Sequence, residues 1–158
     1  MRAKVGHALA CPFIVAALLA ACAAGAEQNP VKWTIAEGRR SRDTVTARIS
    51  ARIDAGWHLY SISQPPGGPI ATRIWIPEDQ PFKQSGDLRG PKPDKMFDPA
   101  FNMDVELYEG SAEFQLPVKP AAAGKQTLHV KVSYQSCSDT ICLPPKTVTL
   151  DLDIERKR

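Results

Sequence analysis

A chain of 158 residues with 43% hydrophobic and 23% charged side chains has the composition of one globular domain with an appended targeting segment. That balance excludes a disordered tail, a collagen-like repeat and a polytopic membrane protein. Arg2 and Lys4 fall within the first 26 residues, which leaves 18 basic against 17 acidic side chains, so no nucleic-acid surface is expected.

Residues 1–7 carry those two positive charges, and residues 8–21 are apolar. This is the pattern of a cleavable signal segment, and the apolar run is shorter than the ~20 residues that span a bilayer. Two cleavage patterns compete at its end. Leu19-Ala20-Ala21-Cys22 has the form of a bacterial lipobox, in which Cys22 is lipidated and anchors the chain. Ala24-Gly25-Ala26 has the form of an ordinary signal-peptidase site. The expected organisation is a signal segment at 1–26, with the lipobox ending at 22, and one domain at 27–158. Cys11 leaves with the signal, so Cys137 and Cys142 are the thiols of the domain. Outside the cytoplasm such a pair is pushed toward a disulfide.

The domain reads as strands of period two. Val31, Trp33 and Ile35 alternate with polar residues, as do Val45, Ala47, Ile49, Ala51 and Ile53. Asp54-Ala55-Gly56 is a turn and residues 57–61 form a short aromatic strand, on which His58 is expected at the surface. Residues 64–69 are a loop fixed by prolines and glycines, and residues 70–76 resume a strand. Five prolines between 77 and 104 mark a long irregular stretch, of the kind that is usually functional. Residues 105–108, 111–118, 127–134 and 146–154 alternate again. The expectation is an all-β, immunoglobulin-like β-sandwich of seven or eight short strands. Trp33, Trp57 and Trp75 are expected as core or half-core aromatics, and Arg39, Arg40 and Arg42 as a solvated turn.

Cys137 and Cys142 lie between two of the clearest strands, with four residues separating them. A hairpin there places them face to face, because cross-strand Cβ atoms are ~4.5–5.5 Å apart. Spacing alone leaves a structural staple and a redox centre both open. A metal site is weakly supported, since His58 and His129 are the only histidines after the signal and the spacing is unlike a zinc knuckle. Met96 and Met103 without a repeat do not argue for copper(I). No lysine, arginine or histidine lies between the cysteines, so thiols of ordinary acidity are expected.

The run Tyr134-Gln135-Ser136-Cys137-Ser138-Asp139-Thr140-Ile141-Cys142-Leu143-Pro144-Pro145-Lys146 closely resembles the active-site hairpin of the N-terminal periplasmic domain of DsbD, the bacterial thiol:disulfide interchange reductase family. Gly56-Trp57-His58-Leu59-Tyr60 resembles the family's aromatic strand, and Asp98-Pro99-Ala100-Phe101 its cap loop. The resemblance runs from about 31 to 154 and implies an immunoglobulin-like fold. It implies that Cys137 and Cys142 are a redox couple, with Cys142 the sulfur that bonds to partners. Phe101 would be an aromatic lid, and Tyr60 and Asp98 neighbours of the pair. The implied partners are a thioredoxin-like or membrane-embedded thiol reductase and oxidised periplasmic proteins, with no cofactor. Cytochrome c biogenesis is among the processes implied. No membrane region or thioredoxin domain follows in these 158 residues, so electrons are expected from a separate protein. The competing reading is a non-redox immunoglobulin-like binding module with a structural disulfide.

Overall fold

Alternation of apolar and polar residues decides which faces of the chain meet. In the computed structural model, which describes residues 29–156, Val45, Ala47, Ile49, Ala51 and Ile53 all point inward while Arg48 and Arg52 are exposed. The expected signal segment at 1–26, with Cys11 and Cys22, falls outside the described residues. Among the described residues there is no helix, and hence none that could cross a membrane.

Eleven strands follow in order: β1 (Val31–Arg40), β2 (Val45–Ile53), β3 (His58–Tyr60), β4 (Arg73–Trp75), β5 (Phe82–Gln84) and β6 (Asp94–Asp98), then β7 (Met103–Glu109), β8 (Ser111–Pro120), β9 (Gly124–Tyr134), β10 (Ser136–Cys137) and β11 (Lys146–Arg156). They form three antiparallel groups in the orders β1-β2-β8-β5, β11-β9-β4 and β10-β3-β7-β6. The architecture is the expected all-β, immunoglobulin-like sandwich.

The main core lies between the first two groups. β2 and β8 pair from Val45↔Val118 to Arg52↔Ser111, which sets Ala112, Phe114, Leu116 and Val118 beside the apolar face of β2. From the second group Leu128, Val130, Val132, Tyr134 and Ile154 complete the cluster. Trp33 joins them, with its ring 6.1 Å from Phe114 and 5.4 Å from Tyr134. Trp57 is half-buried against the same core, and Trp75 is half-buried with the Arg73 guanidinium 5.8 Å from its ring. Trp57 matches the half-core reading, whereas Trp75 is half-buried against Arg73. Burial of nineteen side chains in one cluster is the dominant stabilising contribution of this fold.

Two expectations are corrected. Arg39 and Arg40 are strand residues of β1 and not part of a turn. Arg40 ends β1, pairs with both carboxylate oxygens of Glu37 at 2.7 Å and donates to the Glu155 carbonyl at 2.7 Å. The proline-rich stretch 77–104 is not wholly irregular either. β6 forms within it, because β7 offers an open edge that pairs from Asp94↔Leu107 to Asp98↔Met103.

The third group carries the cysteines and hangs on the core through a change of sheet. β7 belongs to it, whereas β8, one residue later, belongs to the main sheet. Gly110 makes that step with φ of 65°, a conformation that side chains disfavour. Its carbonyl accepts the Ile53 amide at 2.8 Å, so the step is tied to β2.

Candidate functional site around the cysteine turn

β3 is three residues long and buried on both faces, and this sets the geometry of the site. Leu59 points into the main core with its register partner Tyr108. His58 and Tyr60, two residues apart, point to the other face. On that face Tyr60, Val105, Leu107 and Cys137 form a second, smaller buried cluster, with Met103 packed against it.

Cys137 reaches this cluster through β10. The long ladder between β9 and β11 closes at Tyr134↔Lys146. The chain between them leaves that ladder, and Ser136 and Cys137 pair instead with Leu59 and His58. The cysteines therefore do not sit at the ends of the main hairpin, as the spacing suggested. They form their own small bridge at the edge of a different group of strands. They are disulfide-bonded, with S–S 2.04 Å and Cα atoms 4.0 Å apart. The turn between them is closed by Ser138. Its amide donates to the Ile141 carbonyl at 2.8 Å, and its hydroxyl oxygen accepts the amides of Thr140 and Ile141 at 3.3 and 3.2 Å. Such side-chain-to-backbone bonds fix tight turns.

The two cysteines are unequal. Cys137 is 1% exposed, whereas Cys142 is exposed on the rim of a cleft of about 360 Å³. One wall of the cleft is the turn from Ser138 to Cys142, and the other is the tip of the β6–β7 hairpin, from Asp98 to Phe101. His58 and Tyr60 also line it.

Tyr60, Asp98 and Phe101 come together as a unit although 38 residues separate Tyr60 from Asp98. The Tyr60 hydroxyl donates to Asp98 Oδ2 at 3.0 Å, and Asp98 Oδ1 accepts the Ala100 amide at 2.9 Å. One carboxylate thus fastens the hairpin tip to β3. The Phe101 ring stands edge-on to Tyr60, with centroids 6.2 Å apart at 84°. Tyr60 in turn meets His58 edge-on at 5.2 Å and 78°. Phe101 is 39% exposed, and Met96, Phe97 and Ile141 are also exposed apolar groups of this end of the molecule. Burial and the Asp98 hydrogen bond hold the Tyr60 phenol above its ordinary pKa, so it remains a donor.

The expectation that His58 is a surface residue fails. It is 9% exposed, because β10 and β7 flank β3 on both edges and Tyr60 covers the ring. Burial lowers its pKa, against the opposing pull of Glu109, Asp98 and Asp139. Among the described residues no lysine or arginine lines the cleft, so none of them offers a fixed cation to favour a thiolate there. His58 is the residue that sequence reasoning missed. The available signal was its period-two relation to Tyr60 in a strand whose other neighbours are apolar.

The sequence matches the family model described as Thiol:disulfide interchange protein DsbD, N-terminal, over residues 23–154. The chain belongs to this family. Among solved structures it is similar to the DsbD N-terminal domain of Neisseria meningitidis in its reduced form, with TM-score 0.51 and 19% identity over 77% of this chain and 85% of that one. It is also similar to the N-terminal periplasmic domain of ScsB from Proteus mirabilis, with TM-score 0.58 and 19% identity over 80% of this chain and 47% of that one. No curated protein matches by sequence. At these identities the structural likeness speaks for the fold, and membership in the DsbD N-terminal family rests on the sequence match.

Proposed function

We propose that this chain is an exported thiol:disulfide exchange module, passing electrons between a thioredoxin-like or membrane-linked thiol reductase and disulfide-bearing periplasmic proteins through Cys137 and Cys142. The observation that carries the reading is the asymmetry of the disulfide. Exchange requires an incoming thiolate to reach one sulfur in line with the other. Cys142 stands at an open cleft, while Cys137 is packed among Tyr60, Val105 and Leu107. Attack therefore falls on Cys142 and releases the Cys137 sulfur inside the protein. The partner's second thiol then attacks the mixed disulfide and frees Cys142. Two partner thiols become a disulfide, and two thiols appear here.

The exposed apolar groups Met96, Phe101 and Ile141 around the cleft offer a surface for a protein partner rather than a small polar thiol. Phe101 acts in this reading as the cover of the pair, with Tyr60 and Asp98 as the neighbours that hold the hairpin tip in place. Export follows from the N-terminal segment, and anchoring through Cys22 is part of the same proposal. Mass spectrometry of the membrane fraction tests the anchor, since a diacylglyceryl group on Cys22 is expected there.

The central test is trapping. In a Cys137→Ala variant, the Cys142 thiol attacks a partner's disulfide and no Cys137 remains to release it, so mixed disulfides with disulfide-bearing proteins should accumulate, whereas Cys142→Ala should trap far less. Equal trapping by both variants would remove the assigned order of attack. A reduction potential of the wild-type pair below about −300 mV would favour a structural staple instead.

A further inference from the structure

The exchange reaction proposed above leaves a charge in an awkward place. When a partner thiolate bonds to Cys142, the electron pair of the broken bond goes to Cys137, whose sulfur becomes a thiolate. Cys137 is 1% exposed and lies among apolar side chains. The carboxylates of Asp98 and Asp139 line the same cleft, and Glu109 flanks it as the β7 register partner of His58. All of these oppose a buried negative charge. A buried thiolate needs a donor.

One donor is in position. Cys137 and His58 are direct cross-strand partners, which sets their side chains on the same face with Cβ atoms ~4.5–5.5 Å apart. The His58 ring is held edge-on by Tyr60 and lines the cleft with Cys142. Its Nε2 is buried and has no hydrogen-bond partner among the described residues, a costly arrangement in a resting protein.

We propose that His58 is the hydrogen-bond partner of the Cys137 thiolate, its Nε2–H left without an acceptor while the disulfide is closed and donated to sulfur when the disulfide opens. The imidazole then carries its proton throughout the exchange and stabilises the leaving sulfur without becoming a cation. Protons balance outside this pair: the two thiols of the partner lose theirs, and Cys137 and Cys142 each take one up from solvent when the partner departs. In the opposite direction the same bond favours the Cys137 thiolate that expels a substrate from Cys142. The inference rests on the exchange role proposed above.

The test uses two measurements, with dithiothreitol as the reductant. In the wild type, ring nitrogen NMR shifts of His58 are followed against pH in the oxidised and reduced states. The reduced protein should show an additional inflection at the pKa of the thiol, which the oxidised protein lacks. In a Cys142→Ser background, the absorbance of the Cys137 thiolate is titrated with His58 present and with His58→Phe, which keeps an aromatic ring against Tyr60. Loss of one hydrogen bond to a charged sulfur should raise the thiol pKa by about one to two units. Identical His58 titrations in both redox states, or an unchanged thiol pKa in a folded His58→Phe variant, would overturn the assignment. Should that variant not fold, the wild-type NMR measurement decides alone. Neither readout needs a protein partner. Failure to exchange with a thioredoxin-like dithiol therefore counts against the proposed function, and failure of the titrations counts against His58.

Discussion

Phe101→Ala separates a displaceable cover from a core residue. The ring is 39% exposed, so the larger part of it is covered, and its ring partner is Tyr60. Full burial of a phenylalanine side chain contributes ~1.5–3 kcal/mol, which partial burial reduces to about 1–2 kcal/mol. The edge-on ring pair adds ~0.5–1.5 kcal/mol. If about 1–2 kcal/mol of this combined ~1.5–3.5 kcal/mol holds the hairpin tip closed over the cysteine turn, its removal raises the open population by roughly fivefold to thirtyfold. Reduction by dithiothreitol, followed by thiol release under excess reagent, should accelerate by a factor within that range. Urea unfolding of the same variant should show a smaller loss than the ~3–5 kcal/mol expected for a fully buried phenylalanine such as Phe114. An unchanged reduction rate in a folded variant would refute the cover. A loss as large as that of Phe114→Ala would show that Phe101 belongs to the core.

Two further outcomes follow from the geometry. Removing the disulfide, by reduction or by Cys137→Ala/Cys142→Ala, should leave the sandwich folded with a loss of about 2 kcal/mol or less, because the closed loop is short and the main core lies between other strands; cooperative urea unfolding of the reduced protein checks this, and unfolding on mild reduction alone would contradict it. Tyr60 has a folded-state pKa raised above its ordinary value of 10.0, so the folded state holds that proton more tightly than the unfolded chain. Its contribution is then complete below about pH 10 and is lost as pH rises above it. Tyr60→Phe should lose about 1–3 kcal/mol at neutral pH through the lost hydrogen bond to Asp98 Oδ2, and its stability should fall less steeply than the wild type's above pH 10.

The order of the long strands was legible in the sequence, and the reason is local. In β2, β8 and β9, alternate residues must face either core or water, so period two survives in the residue types. The fold class followed from that alternation together with the absence of helical periodicity. The cysteine pair and its turn were legible as a motif, because Ser138, Cys137 and Cys142 interact over a few residues and the resemblance to the DsbD N-terminal family is carried by contiguous residues. β6 was not legible. Four of its five residues are exposed and its order comes from the edge of β7, a partner that residue pattern alone cannot specify. The same holds for the site. Tyr60 and Asp98 are drawn together by a hydrogen bond across 38 residues, and periodicity in either segment is silent about it. His58 marks the limit most sharply. A histidine on a short strand reads as surface until β10 leaves the β9–β11 ladder and closes over it, a choice of strand partner made by packing and not by any residue near position 58. Sequence determined which residues alternate and which two sulfurs are near in the chain. Tertiary structure decided which sulfur is reachable and which side chains surround the other, because exposure is a property of the assembled faces.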